Sequence, residues 1–183
     1  MKLLLLSIVS LFGLNTIQAQ NTNTPTPTKW LTYLDSGFRF TVQYPSDWEF
    51  KKPNTNTRFF VTSYKENEAD QFRENINCIA RKLEQQGFTI KMAEEAIKKS
   101  LSEKLKDYNL IKSAYVQWNN AEALELEYTC KQSAEGVEYD IHILQRMAVI
   151  KGVLFTLTFT SETRSYDKYI TTVRKVYNSL KVK

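Results

Sequence analysis

Residues Gly37–Trp48 read G-F-R-F-T-V-Q-Y-P-S-D-W. Phe38, Phe40 and Val42 alternate with Arg39, Thr41 and Gln43, the period of a strand with one buried face. Pro45 ends the run, because proline cannot donate to a ladder and holds Tyr44 extended. The chain is expected to resume as a strand over Trp48–Lys51, and Lys29–Leu34 reads as a first strand before it.

Further strands are expected over Arg58–Tyr64 and Asn75–Leu83. The period then changes. Met92, Ala93, Ala96, Ile97, Leu101 and Leu105 recur at steps of three and four, which predicts a helix over Thr89–Lys106 with Thr89 as its cap. Three hairpins follow. Leu110–Trp118 turns through Asn119-Asn120 into Ala121–Lys131; Gln132–Gly136 leads into Val137–Ile150; Lys151-Gly152 leads into Val153–Ser161. Asparagine and glycine suit such turns because they tolerate positive φ. A last helix is expected over Arg164–Leu180, with cap candidates at Ser161-Glu162-Thr163.

The meander carries apolar groups on both faces. A two-residue turn at Lys151-Gly152 sets Phe155 against Ala148 and Phe159 against Leu144. Ile141 and Ile143 then point to the opposite side. A sheet apolar on both faces needs cover on both. The expected fold is α+β: a central antiparallel sheet of about six or more strands with helices packed on both faces.

The order of elements, Phe38–Trp48, Asn75-Ile76-Asn77, the segment Leu157–Tyr166 and the closing Ser179-Leu180-Lys181 together resemble the PsbP-like family across about Ser36–Lys183. The resemblance implies an α/β/α sandwich. The family includes the extrinsic subunit of plant and cyanobacterial photosystem II. A nuclear-transport factor that binds a small GTPase shares its fold, as do bacterial envelope proteins, and such proteins mostly act by docking on other proteins. The metal-associated residues of the plant subunit have no counterpart here, where His142 is the single histidine. No photosystem role carries over, and fold alone does not name a function.

Residues 1–19 read as a secretory signal peptide: Lys2 is the positive start, Leu3–Leu14 the apolar run, and Ala19 the small residue before cleavage. The run is shorter than the roughly 20 apolar residues of a spanning helix. Residues 20–29, rich in Asn, Thr and Pro, read as a flexible polar tether, and residues 30–183 as one domain. No membrane span is expected after cleavage. The net charge of +5 includes Lys2, leaving 5 − 1 = +4 in the mature chain. Lys98, Lys99, Lys104 and Lys106 are interleaved with Glu94, Glu95, Glu103 and Asp107, a solvated helix face rather than a nucleic-acid surface. The expected location is periplasmic or secreted.

Cys78 and Cys130 admit two readings. An oxidising compartment permits a disulfide, and buried free thiols would look the same. His142 shares a strand face with Asp140, and one register sets it across from Glu127, another across from Thr129. Glu127, Asp140 and His142 thus form a candidate polar patch, too few in ligands for a zinc site. The acidic run Glu66, Glu68, Asp70, Glu74 lacks the glycine and terminal glutamate of an EF-hand and reads as a solvated loop. Nucleophile elbows, C-x-x-C, H-E-x-x-H and phosphate loops are absent from the sequence. Trp118 sits beside a turn where burial is difficult, so Trp118, Tyr115, Asn119 and Asn120 form a candidate interaction surface.

The sequence therefore describes an exported non-enzymatic accessory or protein-docking module of the bacterial cell envelope, with no cofactor and with a protein partner. The alternative is a small-molecule or lipid carrier with a cavity between sheet and helix.

Overall fold

The computed structural model describes residues 29–53, 57–68, 70–134 and 136–183. The signal peptide and all of the tether but Lys29 lie outside them.

The described residues form two sheets. The smaller is three-stranded, in the order β1 (Trp30–Asp35), β2 (Phe40–Pro45), β10 (Lys181–Val182), all antiparallel. The alternation of the opening stretch holds from Phe40 onward: Phe40 and Val42 are fully buried and Gln43 is exposed, whereas Phe38 and Arg39, expected in the strand, lie in the preceding turn, with Arg39 at φ 54°. Strand β10 was not expected. The last helix was expected to reach Leu180, but Leu180 is extended, with ψ 125°, and the chain turns back to pair Lys181 with Thr41.

The larger sheet has seven strands in the order β3 (Glu49–Phe50), β4 (Phe59–Thr62), β5 (Asn75–Lys82), β9 (Val153–Glu162), β8 (Val137–Ile150), β7 (Ala121–Ala134), β6 (Lys106–Trp118). Every pairing is antiparallel. The meander has the expected strand order, but β6 begins at Lys106 rather than Leu110, and Gln132–Ala134, expected in a turn, extend β7 and pair with Val137–Tyr139. Asn119 and Asn120 have φ of 51° and 59°, and Lys151 and Gly152 of 51° and 75°. Positive φ at both central residues matches a hairpin turn to the strand twist. The Lys151-Gly152 turn sets Phe155 opposite Ala148 and Phe159 opposite Leu144, the register read from the alternation.

Two helices complete the described residues. The first, α1 (Ile90–Lys104), starts after Thr89, whose hydroxyl makes no capping bond, and it stops short of Lys106, which opens β6 instead. The second, α2 (Tyr166–Ser179), is preceded by a 3-10 turn over Thr163–Ser165, so its cap is Ser165 rather than the expected Ser161–Thr163.

The large sheet separates two cores. Ile90, Ala93, Ile97 and Leu101 of α1 pack with Leu124, Leu126, Tyr128, Ile141, Ile143 and Met147. Across the sheet, Val173, Val176 and Tyr177 of α2 pack with Ile76, Leu157 and Phe159. Phe40 and Val42 of the small sheet join that second core. The expected helix cover is thus modified: α1 serves one face, while α2 shares the other with three strands. Burying one such side chain stabilises by about 1.5–3 kcal/mol, which is why neither apolar face is left to solvent.

Candidate functional site

The sequence placed an interaction surface at the turn between β6 and β7. The structure divides it, taking Trp118 and Asn119 into the fold and leaving Asn120 and Tyr115 exposed. Trp118 is 4% exposed, and its Nε1 donates to the Tyr177 carbonyl at 2.8 Å. Asn119 donates from Nδ2 to the Leu180 carbonyl at 2.8 Å and accepts from the Val182 N–H at 3.1 Å. Trp118 and Asn119 are covered because the end of α2 and strand β10 fold over them, while Asn120 stays exposed. The Asn119 side chain thus serves the fold, holding β10 in place.

Tyr115 differs. It is 37% exposed, and its hydroxyl donates to Glu94 of α1. On the same strand, Leu110 is 37% and Ile111 50% exposed. Among the described residues, strand β6 is the outermost of the large sheet, 13 residues long, and pairs only with β7. Its register is broken between Lys106 and Asn109 and between Leu110 and Lys112, and is continuous from Lys112 to Trp118. Leu110 and Ile111 were missed in the sequence. Their adjacency looked like ordinary strand composition, and only the sheet order makes β6 an edge.

Strands β7 and β8 carry a polar row on the face that α2 covers. Glu125 and Arg146 lie opposite one another at its centre. The Arg146 guanidinium donates to Glu125 Oε2 from Nε at 3.0 Å and from Nη2 at 2.6 Å. Arg174 adds a bond to Oε1 at 3.2 Å, and Asn178 accepts from Arg146 at 3.0 Å. Burial would raise the Glu125 pKa, but the two guanidiniums outweigh it and hold it below the usual value.

His142 lies next in this row. Thr129 is directly across from it, yet its Nε2 lies 3.0 Å from Glu127 Oε1 on the diagonal. Both partners left open by the sequence are therefore its neighbours. The ring stacks on Tyr166, with centroids 3.4 Å apart and planes 5° from parallel. Burial lowers the His142 pKa, and Glu127 only partly opposes this. The Tyr166 hydroxyl is itself buried, with the Glu127 carboxylate acting on it. Asp140 does not join the pair: it is exposed, lies across from Lys131, and its backbone carbonyl accepts from the Thr163 hydroxyl at 3.1 Å. A charged cavity of about 670 Å³ opens beyond it, lined by Thr129, Lys131, Glu138, Asp140 and Arg164 among others. Among the described residues, no group of three or more His, Cys, Asp or Glu side chains is arranged to hold a metal ion.

The cysteines are resolved as free, buried thiols. Cys78 belongs to the core under α2 and Cys130 to the core under α1. Strands β5 and β7 are separated by β9 and β8, which is about 14 Å at 4.7–4.9 Å per strand. A disulfide needs Cα atoms within about 7 Å. The acidic run is also corrected. Glu74 is 2% and Asp70 9% exposed, so this connection is not solvated throughout.

The family model described as PsbP matches residues 28–182. The chain belongs to the PsbP family. Solved structures carry the same fold at low sequence identity. Cyanobacterial PsbP (CyanoP) from Synechocystis sp. PCC 6803 is 16% identical, with a TM-score of 0.61 over 90% of this chain and 98% of that one. LpqN of Mycobacterium tuberculosis, described as involved in cell envelope biogenesis, is 12% identical, with a TM-score of 0.59 over 78% and 82%. The Saccharomyces cerevisiae Ran-binding protein Mog1p is 9% identical, with a TM-score of 0.57 over 84% and 95%. No curated protein sequence matches the chain. The PsbP fold thus accounts for the meander, the paired N-terminal strands and the two helices.

Proposed function

We propose that this PsbP-family chain is an exported, non-enzymatic accessory module that binds a protein partner in a bacterial cell envelope. The observation that carries the reading is the exposure of Leu110, Ile111 and Tyr115 along an outer strand with one hydrogen-bonded neighbour. The occupant that fits is an extended segment of another protein. It would pair along Ser113–Gln117, where the register is continuous, with Leu110 and Ile111 as side-chain contacts. An open edge supplies main-chain hydrogen bonds, and exposed apolar residues supply affinity.

Export rests on Lys2, the apolar run Leu3–Leu14 and Ala19. Two fold relatives support the accessory reading: one is described as acting in cell envelope biogenesis, the other as binding Ran. The carrier reading has less support. The cavity beside Asp140 is lined by Lys131, Glu138 and Arg164, a charged surface unsuited to an acyl chain.

Tagged protein crosslinked in its native envelope should yield one partner by mass spectrometry. That partner should be lost in Ile111→Asp and kept in Leu34→Asp, an exposed change on the small sheet. Capture that survives Ile111→Asp rejects β6 as the contact. A cytoplasmic protein retaining residues 1–19 rejects export.

A further inference from the structure

The connection between β4 and β5 is closed at its base by Ser63 and Glu74. The Ser63 N–H donates to the Glu74 carbonyl at 2.7 Å, and the Ser63 hydroxyl donates to Glu74 Oε2 at 3.0 Å. The carboxylate sits in a residue 2% exposed. Arg73 alongside it is turned away, with Nε on the Ser63 carbonyl and Nη1 on Glu49 at 2.6 Å.

The groups facing Glu74 are mostly of its own sign. Asp70 and Glu66 come from the same connection. Arg164 comes from the 3-10 turn, but its guanidinium bonds Glu162 at 2.7 Å. Tyr169 comes from α2, and its hydroxyl donates to Glu66 at 2.6 Å. The amine of Lys168 is held by Glu66 at 2.5 Å. Asp70 is occupied by the N–H groups of Glu66 and Phe72. Glu74 therefore has one neutral side-chain partner, Ser63, and two carboxylates nearby. Burial pushes its pKa up to about 7; Asp70 and Glu66 add to this, while its own backbone and Ser63 oppose it.

We propose that Glu74 is a pH-sensitive latch: protonated, it holds the β4–β5 connection against α2 and the 3-10 turn; ionised, it releases that connection. The seam it controls is already a cavity of about 340 Å³, lined by Glu66, Asn67, Asp70, Arg164, Ser165 and Lys168. Release would widen this cavity and free Glu66 from Tyr169 and Lys168. The direction follows from linkage. A carboxyl whose docked pKa exceeds its free value favours the docked state at low pH, and that preference is lost as pH rises from the ordinary 4.5 to about 7.

The test is amide hydrogen exchange over residues 64–68 and 70–74, corrected for intrinsic rates, in the wild type and in Glu74→Gln. The wild-type opening constant should rise about fortyfold between pH 5 and pH 7. Glu74→Gln, neutral throughout, should show no such rise. A flat wild-type profile, or the same rise in Glu74→Gln, overturns the latch. Should Glu74→Gln fail to fold, carboxyl carbon NMR of the wild type decides. A Glu74 midpoint near 7, with loop amide shifts tracking it, supports the proposal; an ordinary carboxylate midpoint rejects it.

Discussion

The indole of Trp118 donates to the backbone carbonyl of Tyr177 at 2.8 Å, across 59 positions of sequence. This bond ties the tip of the β6–β7 hairpin to the end of α2. Truncation to alanine removes a buried ring as well, so Trp118→Ala should lower stability by about 3–5 kcal/mol. Trp118→Phe keeps most of the packing and leaves the Tyr177 carbonyl unpaired, for a loss of about 1–3 kcal/mol. Urea unfolding reads both, and an unchanged midpoint in Trp118→Ala would refute the anchoring role.

Among the described residues, Glu125 is the carboxylate bonded to the buried Arg146 guanidinium. Removing one partner of a buried pair strands the other charge, so Glu125→Ala should cost about 3–5 kcal/mol. Glu125→Met combined with Arg146→Met should recover much of that loss, since two apolar groups leave no buried orphan charge and Arg174, 41% exposed, stays hydrated. A double variant no more stable than Glu125→Ala contradicts this account.

His142 should titrate below its ordinary value of 6.5, because burial disfavours the imidazolium more than Glu127 favours it. The folded state prefers the neutral ring. Its contribution is complete above pH 6.5 and falls away as pH drops toward the depressed value. As the single histidine it gives one imidazole signal by NMR. Glu127→Gln should move the midpoint lower still; a midpoint at or above 6.5 in the wild type contradicts the stacked, desolvated environment.

Both thiols should resist alkylation in the native protein and react fully in denaturant without reductant. Burial pushes Cys130 up to about 11 and Cys78 higher, so neither offers a thiolate near neutral pH. A mass showing no alkylation of the denatured, unreduced protein would mean a disulfide and a different strand order.

Much of the fold was legible because its signals are local. Phe40 and Val42 announce their face by alternation with Thr41 and Gln43. Asn119-Asn120 and Lys151-Gly152 announce hairpins because few residue pairs accept positive φ twice. Once the Lys151-Gly152 turn length is known, register follows by counting, which is how Phe159 was set opposite Leu144. The candidate sites were legible only in pieces. The partner of His142 was left open between Glu127 and Thr129, and the register sets Thr129 across from it with Glu127 on the diagonal; Asp140 was not separable from them, since strand period assigns a face but not what covers it.

The sequence by itself determined the strands, the hairpins, the two-sided meander and membership of a family, since each depends on neighbours a few residues away. Tertiary structure decided what those elements meet. It buried Trp118 under a helix end that arrives 59 residues later. It placed Cys78 and Cys130 in opposite cores, left β6 at an edge, and drew Glu74 out of water among other carboxylates. These outcomes depend on which distant surfaces come together to exclude water, and a local residue pattern holds no record of that.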